Sequence, residues 1–355
     1  MPALALPRPI DNRFAPAAKA LLRDGRMPRI VGAAMKEIWV EKYRPKSLDE
    51  VVGQDEIVER LKAYAKEGNL PHLLFAGPAG TGKTTCAMAL ARDMFGENWR
   101  QNYYELNSSD ERGIETVRTK VKEIARIAPF GGSSFKIIFL DEADNLTADA
   151  QAAMRRTMET YSKTSRFILS ANYSSRLIEP IQSRTAVFRF RPLKPDSIRE
   201  YIGRIAKAEK LKITEDGLEA LVYIAEGDMR RAVNSLQVAA SLGSTIDADV
   251  LYKVASTIRP EEVKKLIEKA LEGEFLRARE VLDRLLIEYG LSGEDIVRHL
   301  HRTVFDLNVP DESKVRLLDR IGETDFRLTE GSSERIQIEA LLAHFALIGQ
   351  ELNKK

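Results

Sequence analysis

One octapeptide limits this chain more than any other feature: Gly77-Pro78-Ala79-Gly80-Thr81-Gly82-Lys83-Thr84, with the spacing G-x-x-x-x-G-K-[ST]. Its flanks suit it. The apolar run His72–Ala76 leads in, and a helical pattern, Thr84–Phe95, leads out. Glycines let successive N–H groups turn toward one point and wrap phosphate oxygens, while the helix start adds partial positive charge. In that arrangement Lys83 reaches the β- and γ-phosphates, the Thr84 hydroxyl ligates Mg²⁺, and Thr85 continues the cradle.

A loop of this kind needs a sheet to carry it, and the sequence from 37 to 195 supplies one. Short apolar runs at His72–Ala76, Tyr103–Leu106, Lys136–Leu140, Arg166–Ala171 and Ala186–Phe190 alternate with amphipathic helical stretches. That alternation predicts an α/β fold with a parallel sheet covered on both faces. After Pro192 and Pro195 the pattern changes. Residues 196–257 read as three or four helices with no strand signal, and 258–355 as a second helical block. In that block Val263, Leu266, Ile267, Ala270 and Leu271 share one helix face. Residues 1–36 carry seven Lys/Arg against two Asp and several prolines. They read as a disordered leader or as a stretch preceding the true start of translation, with Met35 an alternative initiator.

A single cysteine, Cys86, excludes a disulfide framework and a thiolate zinc cluster and reads as a small buried residue. The four histidines lack metal-ligand spacing. No apolar run approaches the length of a membrane span, so the expectation is a cytoplasmic protein with no membrane partner.

The strand Lys136–Leu140 runs into Asp141-Glu142-Ala143-Asp144. Two acids at a strand tip behind a phosphate loop suit a metal-held triphosphate: Asp141 binds Mg²⁺ through water, and Glu142 orients and deprotonates the attacking water. Asn172 follows the next strand; it either holds the water or γ-phosphate or makes a local turn bond. Arg184 stands too far along the chain to be an obvious partner of its own phosphate loop, whereas Arg230 opens a helix that folds back on the γ-phosphate. For each arginine a surface salt bridge is the alternative. The letters Asp-Glu-Ala-Asp suggest a DEAD-box helicase, but that family has two tandem RecA-like domains, and everything here after about residue 195 reads as helical.

These residues together resemble the clamp-loader branch of the AAA+ ATPases, and among them the replication factor C small subunits of archaeal type. The phosphate loop is only part of the likeness. Trp39-Val40-Glu41-Lys42-Tyr43-Arg44-Pro45, Val52-Gly53-Gln54, Asn107-Ser108-Ser109-Asp110-Glu111-Arg112-Gly113, Ser183-Arg184-Thr185 and Gly227-Asp228-Met229-Arg230 stand in family order. Ser-Arg-Thr replaces the usual Ser-Arg-Cys and leaves the arginine intact. The resemblance implies a RecA-like ATPase domain (37–195), a small helical lid (196–257) and an all-α collar for oligomerisation (258–355). It implies ATP between domain and lid, with Val51, Val52 and Gln54 near the adenine, Gly77 through Thr85 on the phosphates, and Asn172 and Arg230 sensing them. It also implies that Arg184 acts in a neighbouring subunit's site. The partners implied are a large subunit and further copies of the small subunit in a heteropentamer, a sliding clamp, and primer–template DNA.

Arg118, Lys122 and Arg126 form a row of like charges beside the apolar stripe Ile114, Val117, Val121 and Ile124. Such a row disfavours an isolated helix; it suits a phosphate backbone lying alongside, or Glu115 and Glu123 neutralise it as ordinary pairs. The resemblance favours DNA for these residues and for Arg112. The loop Ile127–Gly132 is either an exposed anchor for the clamp or plain packing. Two rival functions stay in view: a nucleotide-binding scaffold with little hydrolysis, and another AAA+ DNA motor such as a branch-migration helicase.

Overall fold

The computed structural model describes residues 37–109, 113–243, 245–255, 257–287 and 289–352. The leader and Arg112 lie outside the described residues. Strands β1 (Leu73–Ala76), β2 (Tyr103–Asn107), β3 (Lys136–Asp141), β4 (Ser165–Ala171) and β5 (Ala186–Arg189) form one sheet of order β2-β3-β4-β1-β5, every pair parallel. Successive side chains in a strand point to opposite faces. Leu73, Phe75, Ile137, Phe139, Ile168 and Phe188 therefore pack beneath helices α1 (Asp55–Glu67) and α2 (Lys83–Phe95). Leu74, Ile138, Leu140, Phe167 and Leu169 pack on the other face, against α3 (114–126) and α4 (Ala148–Thr160). Each large apolar side chain so buried contributes about 1.5–3 kcal/mol. Cys86, Ala87, Ala89, Leu90 and Ala91 are fully buried, so small residues bring α2 close onto the sheet, and burial pushes the Cys86 thiol up to about 12.

The helices α5 (Pro195–Ala208), α6 (Glu215–Ala225), α7 (Met229–Leu242) and α8 (Ala248–Val254) share a separate core. Trp39 belongs to that core, its N–H donates to Gln237 at 2.9 Å, and Tyr201 Oη donates to the Tyr43 carbonyl at 2.5 Å. The Trp39–Pro45 segment is thus a clasp onto this helical body. Here the structure departs from the expectation of no strands in 196–257: β6 (Lys212–Ile213) and β7 (Thr245–Ile246) pair in parallel. Two residues give no alternation to detect, and the pairing arises because the segments leading into α6 and α8 lie side by side. The helices α9 (Pro260–Leu271), α10 (Phe275–Ile287), α11 (Gly293–Thr303), α12 (Asp311–Thr329) and α13 (Glu334–Leu352) enclose a further core built on Leu266, Leu282, Leu300, Leu317 and Phe345. Among the described residues no helix is long and apolar enough to cross a membrane.

Two basic side chains are sunk into the N-terminal edge of the sheet. Lys136 is wholly buried and donates to the carbonyls of Ile127 and Ala125 at the end of α3, where helix carbonyls lack partners; burial lowers its ammonium to about 8. Just before β1, His72 accepts a hydrogen bond at Nδ1 from the Phe167 N–H (3.1 Å). Burial first, and the Arg166 charge second, push its pKa from 6.5 to about 4. Between those values the unfolded chain binds a proton that the folded chain refuses, so stability falls as pH drops through that window. His72→Gln is expected to lose less of its urea midpoint between pH 7 and pH 5 than the parent; an equal loss assigns the acid sensitivity elsewhere.

Candidate nucleotide-binding site

The C-terminal tips of β1, β3 and β4 lie together, the crevice where parallel α/β sheets take ligands. The turn out of β1 tolerates no side chain at two points. A Cβ on Gly77 would stand 2.2 Å from the Phe190 carbonyl oxygen, and one on Gly80 would stand 1.6 Å from Asp228 Oδ1; both residues have positive φ. Gly80 also accepts a hydrogen bond from the Met229 N–H at 3.1 Å, which seals the loop to the start of α7. Lys83 is buried, and its Nζ donates to the carbonyls of Gly77 (2.6 Å) and Pro78 (2.8 Å) and to Asn172 Oδ1 (3.3 Å). Burial lowers its pKa, opposed by the Asp141 and Asp144 charges.

The Thr84 hydroxyl lies 3.1 Å from Asp141 Oδ2. Both are hard oxygen donors at one point of the cleft, the kind of set Mg²⁺ takes with waters completing its shell. The Ser170 hydroxyl, buried without a partner among the described residues, borders the same cleft. Glu142 adopts left-handed backbone, φ +52, where a non-glycine residue costs about 1–2 kcal/mol. Its N–H donates to Asp141 Oδ1 at 3.0 Å, and its Oε2 accepts from Asn145 Nδ2 at 3.0 Å.

Most of the residues expected from the sequence meet in this cleft. Val51, Val52, Ala79 through Thr85, Asp141, Glu142, Asn172 and Arg230 line it. Gly77 and Pro78 lie just behind, offering their carbonyls to Lys83. Gln54 stands aside: its amide bridges Arg191 O (2.6 Å), Arg191 N (3.3 Å) and Thr81 O (3.4 Å), so it ties the phosphate loop to the residues after β5. Arg184 is outside the cleft, where its Nε meets Glu159 at 2.8 Å and its Nη1 donates to Pro180 O at 2.9 Å. An exposed pair of this kind contributes little to stability. Arg155, with Arg184 behind it, holds the Glu159 carboxyl below the usual carboxylate range.

Sequence reasoning missed three contributors. Arg44 and Tyr201 line the cleft from the clasp and from α5. Asp144 Oδ2 accepts from the N–H groups of Asn172 and Tyr173, each at 3.2 Å, and so fixes the strand tip that presents Asn172. The acid was visible in the sequence; its spacing from Asn172 gave no sign that the two meet.

On the far face α3 carries Arg118, Lys122 and Arg126, all exposed, over buried Val117, Val121 and Ala125. Arg118 lies 3.5 Å from Glu115. The helix is not uniform: Val117–Val121 is a π-helical segment, and the Thr119 hydroxyl donates to the Glu115 carbonyl at 2.6 Å, which opens the α-helical ladder there. Ile127 and Phe130 in the following loop are about half exposed, at 51% and 53%.

Replacing Asp144 by Ala leaves two backbone donors without their acceptor. We expect unfolding free energy to fall by about 1–3 kcal/mol in denaturant melts, with ATP turnover reduced more than nucleotide affinity. Parent-like turnover would detach Asp144 from the site.

Residues 73–193 match the AAA family (ATPase family associated with various cellular activities), and residues 258–344 match the Replication factor C C-terminal domain. The chain is 61% identical over 315 residues to a Replication factor C small subunit of Archaeoglobus fulgidus, covering 89% of this chain and 99% of that one. It is 58% identical to the Replication factor C small subunit of Methanocella arvoryzae, covering 90% of this chain and 100% of the relative. Among solved structures, the Thermotoga maritima RuvB Holliday junction branch migration motor superposes with a TM-score of 0.51 at 20% identity, over 65% of this chain and 80% of the other. That likeness speaks for the fold alone. Taken with the AAA cleft and the helical C-terminal region, the identities mean that the chain belongs to the replication factor C small subunits, clamp-loader AAA+ ATPases of DNA replication.

Proposed function

We propose that this chain binds ATP with Mg²⁺ in the cleft and hydrolyses it at full rate only inside a ring of related subunits, closing a sliding clamp on primer–template DNA and then releasing both. The observation that carries the reading is a division of labour. Lys83, Thr84, Asp141, Glu142, Asn172 and Arg230 converge on one cleft, while Arg184 projects from another part of the surface. A guanidinium placed there serves a neighbour's nucleotide. Its ion pair with Glu159 then presents the side chain, at small energetic cost to release.

In this reading Lys83 leaves the Gly77 and Pro78 carbonyls for phosphate oxygens. Thr84 and Asp141 hold Mg²⁺, which when bound offsets phosphate charge. Glu142 takes the proton of the attacking water as the water oxygen bonds to the γ-phosphorus and ADP departs. Asn172 aligns that water, and Arg230 reports the γ-phosphate to α7. The ring contains further copies of this chain and one related large subunit as a heteropentamer. The organisation into an ATPase domain (37–195), lid (196–257) and collar (258–355) belongs to the same reading. Arg118, Lys122 and Arg126 on α3 track the DNA backbone without reading bases, and the Ile127–Gly132 loop faces the clamp.

Arg184→Ala tests the trans role. Nucleotide affinity is expected to stay within about twofold, while turnover in the assembled complex with primed DNA and clamp falls by roughly 10³-fold or more; unchanged turnover refutes the role. For the DNA surface, Arg118→Ala with Lys122→Ala should weaken primer–template binding and reduce the log–log salt slope by about 1–2, near 0.9 for each phosphate no longer neutralised. An unaltered slope removes both residues from the interface.

A further inference from the structure

The C-terminal helical block meets the end of α6, just before the link that leads to the nucleotide cleft, through Arg302 and His299. Glu226 ends α6 in left-handed backbone, φ +53, a position that favours glycine. Arg302, in the last turn of α11, grips it with two parallel hydrogen bonds, Nη1 to Oε1 at 2.5 Å and Nη2 to Oε2 at 2.7 Å. This fork-on-fork geometry is the strong form of an arginine–carboxylate pair. Burial pushes the Glu226 carboxyl up, but the Arg302 bonds and charge outweigh it and hold it below its usual range. One turn earlier on both helices, His299 stacks on Tyr223 and shares a hydrogen bond with its hydroxyl at 3.1 Å, while the other ring nitrogen meets the Thr257 hydroxyl at 3.3 Å. Two successive turns of α11 therefore seat the end of α6.

From Glu226 a short link, residues 226–228, delivers Arg230 to the cleft. Gly227 O accepts from Leu193 N at 3.0 Å, Asp228 Oδ1 caps α7 by accepting from Arg231 N at 3.0 Å, and Met229 N reaches Gly80 O at 3.1 Å. Behind the link lies a second cavity, bordered by Pro78, Thr81, Pro192, Glu226, Asp228 and Arg231. Gly227 packs closely on Pro192, where an added Cβ would stand 2.5 Å from the proline Cβ, and polar ties hold the rest of the link.

We propose that Arg302 is a positioning residue for ATP hydrolysis: through the Glu226 carboxylate it holds the 226–228 link and so sets Arg230 against the nucleotide. The inference rests on Arg230 sensing the γ-phosphate. It makes the region matched to the Replication factor C C-terminal domain a determinant of turnover, acting through a carboxylate that Arg231 of α7 also approaches, at 3.4 Å.

The test is a double-mutant cycle in the full chain assembled with its partners. It reads steady-state ATP turnover and binding of a fluorescent ATP analogue, with thermal unfolding to check each variant. Arg302→Ala should lower kcat about tenfold while changing analogue affinity much less, and Arg302→Lys, which keeps the charge without the fork, should recover part of the loss. In an Arg230→Ala background the same Arg302→Ala change should cost nothing further. Equal losses with and without Arg230, or no loss from Arg302→Ala when Arg230→Ala is costly, overturn the coupling. If Arg230→Ala alone leaves turnover intact, the sensing role itself fails and the proposal falls with it. Should Arg302→Ala not fold, Glu226→Gln loosens the same tie from the other side, and its cycle with Arg230→Ala is read by the same criteria.

Discussion

The hydrogen bond from Met229 N–H to the Gly80 carbonyl holds two bodies of this protein in register beside the nucleotide cleft. It forms because Gly80 has no Cβ: a methyl group there would overlap the Asp228 carboxylate that caps α7. The phosphate loop and the N-terminus of α7 can therefore meet at backbone distance. Everything placed by α7, Arg230 above all, inherits its position from that seam. The clasp through Trp39 and Tyr43 and the bridge through Gln54 brace the same junction from the other side.

The cleft itself is balanced electrostatically around Lys83. A buried ammonium is costly without acceptors, and three oxygens surround it: two loop carbonyls and the Asn172 side chain. Asp141 and Asp144 add charge that favours its protonated form. Two of these acceptors belong to the phosphate loop itself, so in the proposed function an incoming phosphate would replace weaker neutral acceptors with charged ones. The left-handed turn at Glu142 is the corresponding device for the acid. It places Glu142 at the border of the cleft with its carboxylate tied to Asn145.

Legibility followed the range of the forces involved. The parallel sheet was readable because alternating apolar residues in five short strands pack on two faces, and strand tips bearing Gly77, Asp141 and Asn172 converge wherever such a sheet closes. Local periodicity likewise revealed Val263, Leu266 and Ile267 as one helix face, and all three are core. Contacts between residues far apart in the chain left no local trace. Asp144 accepting from the Asn172 backbone N–H, Glu159 holding Arg184, and Arg302 gripping Glu226 depend on tertiary placement. The two-residue strands β6 and β7 are too short for period-two patterning. The π-helical turn in α3, where the Thr119 hydroxyl bonds the Glu115 carbonyl, has no spacing signal. Gln54 is the subtler case: the family resemblance implied a place near the adenine, and nothing in the sequence signalled that its side chain joins Arg191 to Thr81.

The sulfhydryl of Cys86 lies sealed beneath α2, with burial pushing its ionisation to about 12, and it is the chain's sole cysteine. Thiolate, not thiol, reacts with maleimides and oxidants. Burial of the thiol therefore slows its reaction with such reagents in the folded chain, and a cysteine engineered onto the surface becomes the favoured attachment point for a fluorophore or spin label.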